Sequence, residues 1–402
     1  MQSGTHFSPL NQEQRQTAHS GGCLTFPREQ VDRVKLTHHW LVNMRGGEKV
    51  LEQFCKMFPA ADIQCLVHDR NNLTGVIAQR NISSSFLQWV PFGRQLYKQA
   101  MPLHPLLIKS MRIKNADLVI CSDASMIKGI QVPDDCFLVC YCHSPPRYLW
   151  EMQDEYFGDH AAFGSRIKKA VFKFCTPYCR RFDHNSAQRV NLFIANSEFV
   201  ANRIKQYYGR DSVVVHPPVD VNSFSPDRPR SDFYLVVSAL TPYKRIDLAV
   251  SAFQESGKRL VVIGDGPERK KLERAAADNI VFLGKQPFSV LKEHYETCRA
   301  FVFPGIEDFG ITPVEAQAAG APVIAFGMGG ALETVVEDHT GIFFKKQTTW
   351  SLNEALSRID ELYDCNPHLH SCCRKHAEHF NPGVFRSKFS KEVENTVADG
   401  HI

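Results

Sequence analysis

Phe303-Pro304-Gly305-Ile306-Glu307-Asp308-Phe309-Gly310-Ile311-Thr312-Pro313-Val314-Glu315-Ala316 decides how the rest of this chain is read. The segment leaves an apolar strand predicted over 300–303, crosses a loop with two glycines, and enters a helix opening Thr312-Pro313-Val314-Glu315. Backbone N–H groups at a strand–loop–helix junction are free to bind phosphate. Glu307 and Glu315 flank them, eight positions apart. Carboxylates do not bind phosphate, but they accept hydrogen bonds from sugar hydroxyls. Free amides between two carboxylates suit a ligand that is part diphosphate and part sugar.

Outward from this stretch, apolar runs alternate with helical patterns. Strands are predicted over 34–42, 117–121, 137–142, 191–195 and 213–216, then over 233–238, 260–264, 280–284, 300–304, 323–326 and 341–344. Helices are predicted over 47–57, 197–208, 245–255, 268–277 and 289–298. Strands this apolar are covered on both faces, which means parallel sheets wrapped by helices. The proline-rich run from His216 to Arg230 lacks periodicity and reads as a hinge linker. The expected fold class is α/β, with two doubly wound, Rossmann-like domains over 31–216 and 217–380 and a cleft between them. Residues 1–30 are expected to be disordered. Residues 381–402, with Val384, Phe385 and Phe389, are expected to form an apolar-faced helix.

The composition fits that reading. A chain of 402 residues exceeds a typical single domain, and 43% hydrophobic content is that of a globular protein. A net charge of +4 is too small to indicate nucleic acid. No run reaches the about 18 apolar residues of a membrane-spanning helix, and residues 1–30 have no apolar core like a secretory signal's. Thirteen cysteines, several inside predicted strands, fit reduced, buried thiols and a cytoplasmic setting. Cys175, Cys179, Cys372 and Cys373 lack the spacing and histidines of a zinc site, so no metal is expected.

The decisive stretch resembles the donor site of family-4 glycosyltransferases, which have the GT-B architecture. The resemblance covers most of residues 34–345, and it implies that the helix of 381–402 packs back on the N-terminal domain. It runs through Val237-Ser238-Ala239-Leu240-Thr241-Pro242-Tyr243-Lys244-Arg245, Ile263-Gly264-Asp265-Gly266-Pro267, Gly320-Ala321-Pro322-Val323 and Gly329-Gly330-Ala331-Leu332-Glu333. In the first half, Arg45-Gly46-Gly47-Glu48-Lys49 and Tyr141-Cys142-His143-Ser144-Pro145-Pro146-Arg147-Tyr148 look like bacterial mannosyltransferases that build O-antigen and exopolysaccharide. The ordered series at family spacing carries the resemblance; each fragment alone is weak.

The resemblance implies a role for each residue, and the local reading stands beside it. Thr312-x-x-Glu315 is a capping box with Pro313 at the first helical position, which alone accounts for Glu315; the resemblance puts Glu315 on the ribose hydroxyls. Glu307 is either a solvated loop carboxylate or a donor-sugar contact. Lys244 and Arg245 open a predicted helix, where cations oppose the dipole at about 0.3–1 kcal/mol each; a bound diphosphate reverses that cost, and Lys244 is assigned to it. Relatives often carry a second cation where this chain has Ala239, and Arg245 is the candidate substitute. His143 closes a buried strand and is expected to touch the donor sugar, with Arg147 and Tyr148 as neighbours. His39 replaces an acidic residue common in related sequences. Gly46 and Gly47 face the phosphates, or simply make a turn. The amides of Phe309, Gly310, Ile311 and Thr312 complete the donor site. Asp308-Phe309-Gly310 mimics a kinase signature, but no kinase catalytic loop accompanies it. Gly264-Asp265-Gly266 is an incomplete dinucleotide fingerprint.

Two basic segments complete the reading. Residues 166–181 carry Arg166, Lys168, Lys169, Lys173, Arg180 and Arg181 without an acid, and residues 92–114 carry Arg94, Lys98, Lys109, Arg112 and Lys114. Such stretches are either solvated helix faces or attachments to the anionic inner face of a membrane. The expected activity is metal-independent, retaining transfer of a hexose, mannose from GDP-mannose, to a lipid-linked saccharide, with no cofactor beyond the donor. The alternatives are an epimerase or hydrolase on the same scaffold, or a non-catalytic nucleotide-sugar binder.

Overall fold

The computed structural model describes residues 32–152 and 166–398, without the side chains of 166–169. The expectations for residues 1–30 and for Arg166, Lys168 and Lys169 lie outside the described residues.

Among the described residues, thirteen short strands form two parallel sheets. The first contains β1 (Val34–His38), β2 (Ile63–Cys65), β3 (Ile82–Ser84), β4 (Leu118–Asp123), β5 (Phe137–Cys142), β6 (Leu192–Ala195) and β7 (Val213–Val214), in the order β3-β2-β1-β4-β5-β6-β7. The second contains β8 (Tyr234–Val237), β9 (Leu260–Ile263), β10 (Ile280–Gly284), β11 (Ala300–Phe303), β12 (Val323–Phe326) and β13 (Gly341–Phe344), in the order β10-β9-β8-β11-β12-β13. The helices used below are α1 (Gly46–Met57), α2 (Arg166–Ala187), α3 (Glu198–Tyr208), α4 (Ile246–Ser256), α5 (Phe288–Thr297), α6 (Ile311–Ala318), α7 (Thr349–Cys365), α8 (Leu369–Ala377) and α9 (Pro382–Ala398).

Alternation along the strands explains why each sheet is covered twice. In β4 and β5, Leu118, Ile120, Phe137, Val139 and Tyr141 enter one core, while Val119, Cys121, Leu138, Cys140 and Cys142 enter the core on the other face. The second sheet repeats this: Tyr234, Val236 and Val302 face one core, and Leu235, Phe301 and Phe303 the other. Strand order reverses between β1 and β4 and between β8 and β11. Crevices at such switch points, beyond the carboxyl ends of the strands, are where open parallel sheets bind ligands.

α9 belongs to the first sheet although it follows the second in sequence. Phe385, Phe389, Val393 and Val397, spaced four apart, enter the core of β1 and α1. The Phe389 ring lies 4.7 Å from that of Phe54, and Arg386 donates to Gln53 Oε1 at 2.6 Å.

Several local expectations need correction. The first strand ends at His38 rather than at residue 42; beyond it only Leu41 makes an isolated bridge, to His68. β2 and β3 were not expected, because three residues each are too few to show a period. The supposed hinge is packed: Val219, Val221 and Phe224 are buried in the second unit's core, and Arg374 donates to Val221 O at 2.6 Å and Phe224 O at 3.1 Å. Its apolar residues, not its prolines, set its fate. Thr312 does not cap α6 either. The cap is Gly310, at φ 91, and Thr312 lies inside the helix.

Candidate functional site

The carboxyl ends of β8 and β11 build one wall. After β8, a single 3-10 turn, Pro242–Lys244, delivers the Lys244 ammonium onto the Glu307 carboxylate, which comes from the loop after β11. Burial, then the Arg147 guanidinium, push the Lys244 ammonium down to about 7, and Asp308 opposes them. The Glu307 carboxylate at Nζ acts in the same direction as Asp308. Arg245 sits elsewhere. Its backbone is left-handed, at φ 53, which turns the chain into α4, and its guanidinium is held by Asp247 Oδ1 at 3.2 Å and Gln347 Oε1 at 3.1 Å.

The loop then enters α6. Among the described residues, no group accepts a hydrogen bond from the N–H of Phe309, Gly310, Ile311 or Thr312. Glycine is required at 310, since φ 91 is strained for any other residue. The Phe309 side chain is core, its ring 5.4 Å from His216 and 5.5 Å from Phe380, so only its backbone faces the site. Glu315 does not cap its helix. It accepts from Tyr295 Oη at 3.2 Å and faces Lys49 Nζ, on the other unit, at 3.5 Å. Burial raises its pKa, and Lys49 opposes the shift.

The opposite wall is the amino end of α1 with the ends of β1, β4 and β5. A Cβ on Gly46 would lie 2.6 Å from Ile311 Cδ1, and one on Gly47 would lie 3.5 Å from His143 Nε2. The amino ends of α1 and α6 thus meet closely, Gly46 against the Ile311 side chain, and both ends are positive. Behind them runs a buried polar chain. Glu48 accepts from Arg45 N at 2.9 Å, and its other oxygen lies 3.7 Å from His38 Nε2. His38 Nδ1 is 3.0 Å from Ser122 Oγ, which is 2.8 Å from His143 Nε2. Burial works against charge on Glu48, but attraction from His38 outweighs it and brings the carboxyl down to about 2. Burial, then His38, push the His143 imidazole down to about 4, so it is neutral near pH 7. An ionised Glu48 favours a proton on His38 Nε2. Where Ser122 donates its hydroxyl to His38 Nδ1, Ser122 Oγ accepts from His143 Nε2–H. The remaining acceptor of His143 is Nδ1. His39 lies beside this chain, and burial, then His38, push it down to about 3.

Sequence reasoning missed the contacts that join the walls. Asp308 receives Arg147 at 2.6 Å and Arg203 at 2.7 Å, and its carbonyl accepts from Ser197 Oγ at 2.6 Å. Glu333 accepts from the N–H groups of Glu198 at 2.8 Å and Phe199 at 3.2 Å, at the amino end of α3, and lies 2.9 Å from His216 Nε2. These partners are more than a hundred residues apart in sequence, beyond the reach of local spacing. Also unforeseen is a cavity of about 270 Å³ beside Glu315, lined by Lys49, Asp220, Ser223, Phe224 and Phe288. Among the described residues, no cluster of His, Cys, Asp and Glu could hold a metal ion.

Comparison with known proteins follows the same division. Residues 44–223 match the family described as Glycosyltransferase Family 4, and residues 221–378 match Glycosyl transferases group 1. A GDP-mannose-dependent alpha-(1-6)-phosphatidylinositol monomannoside mannosyltransferase of Mycolicibacterium smegmatis is 30% identical over 177 residues, 36% of this chain and 46% of that protein. The O-antigen chain mannosyltransferase of Salmonella typhimurium is 25% identical over 212 residues, 50% of this chain and 58% of that one. The chain spans about half the length of the curated relatives it matches. An Anabaena protein, HepE, solved with UDP-glucose, shares the fold at a TM-score of 0.65 and 17% identity, over 90% of this chain and 100% of that one. The two matches meet at the linker and together run from 44 to 378, the first over the first sheet from α1 onward and the second over the second sheet: the chain belongs to the family-4 glycosyltransferases of GT-B fold.

Proposed function

We propose that the cleft binds a nucleotide sugar and transfers its hexose to an acceptor hydroxyl. The observation that carries this is the meeting of two positive helix ends, α1 at Gly46 and α6 at Ile311, beside Lys244. Unbonded amides and an ammonium suit a diphosphate. Glu315 is the acceptor for the ribose hydroxyls, and the cavity beside it, with the Phe224 and Phe288 rings 5.7 Å apart, is large enough for a nucleobase. Glu307 and His143 are the contacts for the sugar.

In the reaction, the bond from sugar C1 to the diphosphate oxygen breaks and a bond from C1 to the acceptor oxygen forms. The acceptor proton goes to the departing phosphate oxygen. The residues bind and orient the reactants, and Lys244 with the helix ends stabilises the charge that builds on the diphosphate. The resemblance supports retention at C1 and transfer without a metal. Likeness to two mannosyltransferases favours mannose as the sugar, and the Mycolicibacterium smegmatis enzyme, GDP-mannose-dependent and acting on a phosphatidylinositol monomannoside, favours GDP-mannose and a lipid-linked saccharide.

A thermal-shift panel tests the donor, since a ligand of the folded state raises Tm by mass action. GDP-mannose should raise Tm more than UDP-glucose, GDP or mannose. An equal response to UDP-glucose overturns the choice of base, and no response to any nucleotide sugar overturns the site. Transfer should persist in excess EDTA; loss of activity restored by Mg²⁺ would refute the metal-free reading. Release of free mannose without any acceptor product would favour a hydrolase.

A further inference from the structure

Between β3 and β4 the chain displays large apolar side chains that nothing among the described residues covers. Phe86, Trp89 and Phe92 are 71%, 81% and 72% exposed. They are not on a loose loop. Leu87 and Tyr97, between and beyond them, are buried against Val67, and Ser85 caps the turn that carries Phe86. Phe92 is held at φ 60, a left-handed conformation that L-residues other than Gly, Asn and Asp rarely adopt, with its ring in solvent. The anchoring side chains point in and the aromatic ones point out.

Charge on the same face is mostly positive; one acid beside it, Asp69, faces Arg94 at 3.8 Å. From Arg70 to Ala116 there is no Asp or Glu, and Lys98, Lys109, Arg112 and Lys114 are exposed. The short helix His104–Ser110 packs on α2 through a shared core of Ile108, Phe172, Cys179 and Phe182. Lys109 Nζ lies 5.7 Å from the Phe182 ring, so the two segments form one surface. α2 adds Phe174, 86% exposed, beside exposed Lys173 and Arg181.

We propose that this face, formed by residues 86–114 and the outer side of α2, docks on an anionic lipid bilayer. A solvated helix face would mix both signs of charge and lack a run of exposed aromatics. A protein interface is depleted in lysine at its centre, whereas aromatic side chains among lysines and arginines match the headgroup layer of an acidic membrane. Rings at Tyr97, Trp40, His39 and His38, 4.9, 4.4 and 4.1 Å apart in turn, connect this face to the wall of the cleft. If the proposed transfer to a lipid-linked acceptor is also right, docking brings that acceptor to the cleft; the docking itself does not depend on it.

The full chain is sedimented with vesicles of equal parts phosphatidylcholine and phosphatidylglycerol, and with vesicles of phosphatidylcholine alone. Binding to the acidic vesicles should be at least about tenfold tighter and weaken with salt. The double variant Trp89→Ser, Phe92→Ser and the double variant Lys109→Glu, Arg112→Glu should each lose about tenfold or more. Both should keep the wild-type melting temperature and the wild-type thermal response to GDP-mannose, which separates a failure of docking from a failure of the donor site. Equal binding to both kinds of vesicle, binding to neither, or wild-type binding by folded variants overturns the proposal. So does a concentration-dependent dimer abolished by the Trp89→Ser, Phe92→Ser change, which would assign the face to a second copy.

Discussion

The two walls of the cleft hold their polar groups in opposite ways. On the second unit, Lys244, Glu307 and Glu315 are partly exposed and come from loop and helix ends close to one another. On the first unit, His38, Glu48 and Ser122 are buried behind the surface and only His143 reaches it. One wall leaves its charge open to the cleft. The other uses buried charge to fix a single neutral imidazole, with desolvation making each hydrogen bond in that chain stronger and each unmet one costlier. A residue changed on the first kind of wall should alter ligand affinity or rate with little effect on stability; one changed on the second should alter both.

The largest expected effect is on the open wall. Lys244→Ala should lower kcat about 10²–10³-fold, the usual loss when one stabiliser of a developing anion is removed, with Tm nearly unchanged. A tenfold or smaller loss would mean that the helix ends alone handle the diphosphate. On the buried wall, Ser122→Ala removes the bridge between His38 and His143. One hydrogen bond contributes about 1–1.5 kcal/mol, so kcat/KM should fall about tenfold. Imidazole ¹⁵N shifts should report the Nε2–H tautomer of His143 in the wild type and a mixture in the variant. An unchanged tautomer would break the assigned chain of protons.

The smallest effect concerns pH. His143 is held at about 4, below its ordinary 6.5, so the folded state resists a proton that the unfolded state accepts. Stability should therefore fall as pH drops from 6.5 toward 4, and His39, held at about 3, adds to the same decline. Buried His104, also held at about 4, shares in the decline, so replacing His143 with Asn removes one of several such groups and should flatten part of the dependence of Tm on pH over that window. The same slope in both proteins would show that His143 titrates as it does in the unfolded chain.

The same contrast governs what could be read from sequence. Thirteen residues, 303–315, hold the β11 end, the free amides and both glutamates, so the open wall is a contiguous motif. Fold class was legible for a similar reason: β4, β5, β8 and β11 are apolar on both faces. The buried wall takes its members from β1, α1, β4 and β5, and Ser122 carries no local signal of its role. Lys49 and Phe288 meet Glu315 only through tertiary packing. Asp308 looked like part of a kinase-like triplet, yet its partners are Arg147 and Arg203. Thr312 failed as a cap because Gly310, two residues earlier, already supplies the left-handed turn that starts α6.

The central claim is that the open wall binds the nucleotide portion of a nucleotide sugar, and titration calorimetry of GDP-mannose into the wild type and Glu315→Gln tests it most directly. Glutamine can still accept the Tyr295 hydroxyl bond, so the fold should be nearly unaffected. The ribose loses a charged acceptor, which contributes about 1.5–3 kcal/mol. The account predicts wild-type binding, and an affinity lower by about one to two orders of magnitude in the variant at unchanged Tm. Equal affinity in the two proteins, with both fully folded, would contradict it.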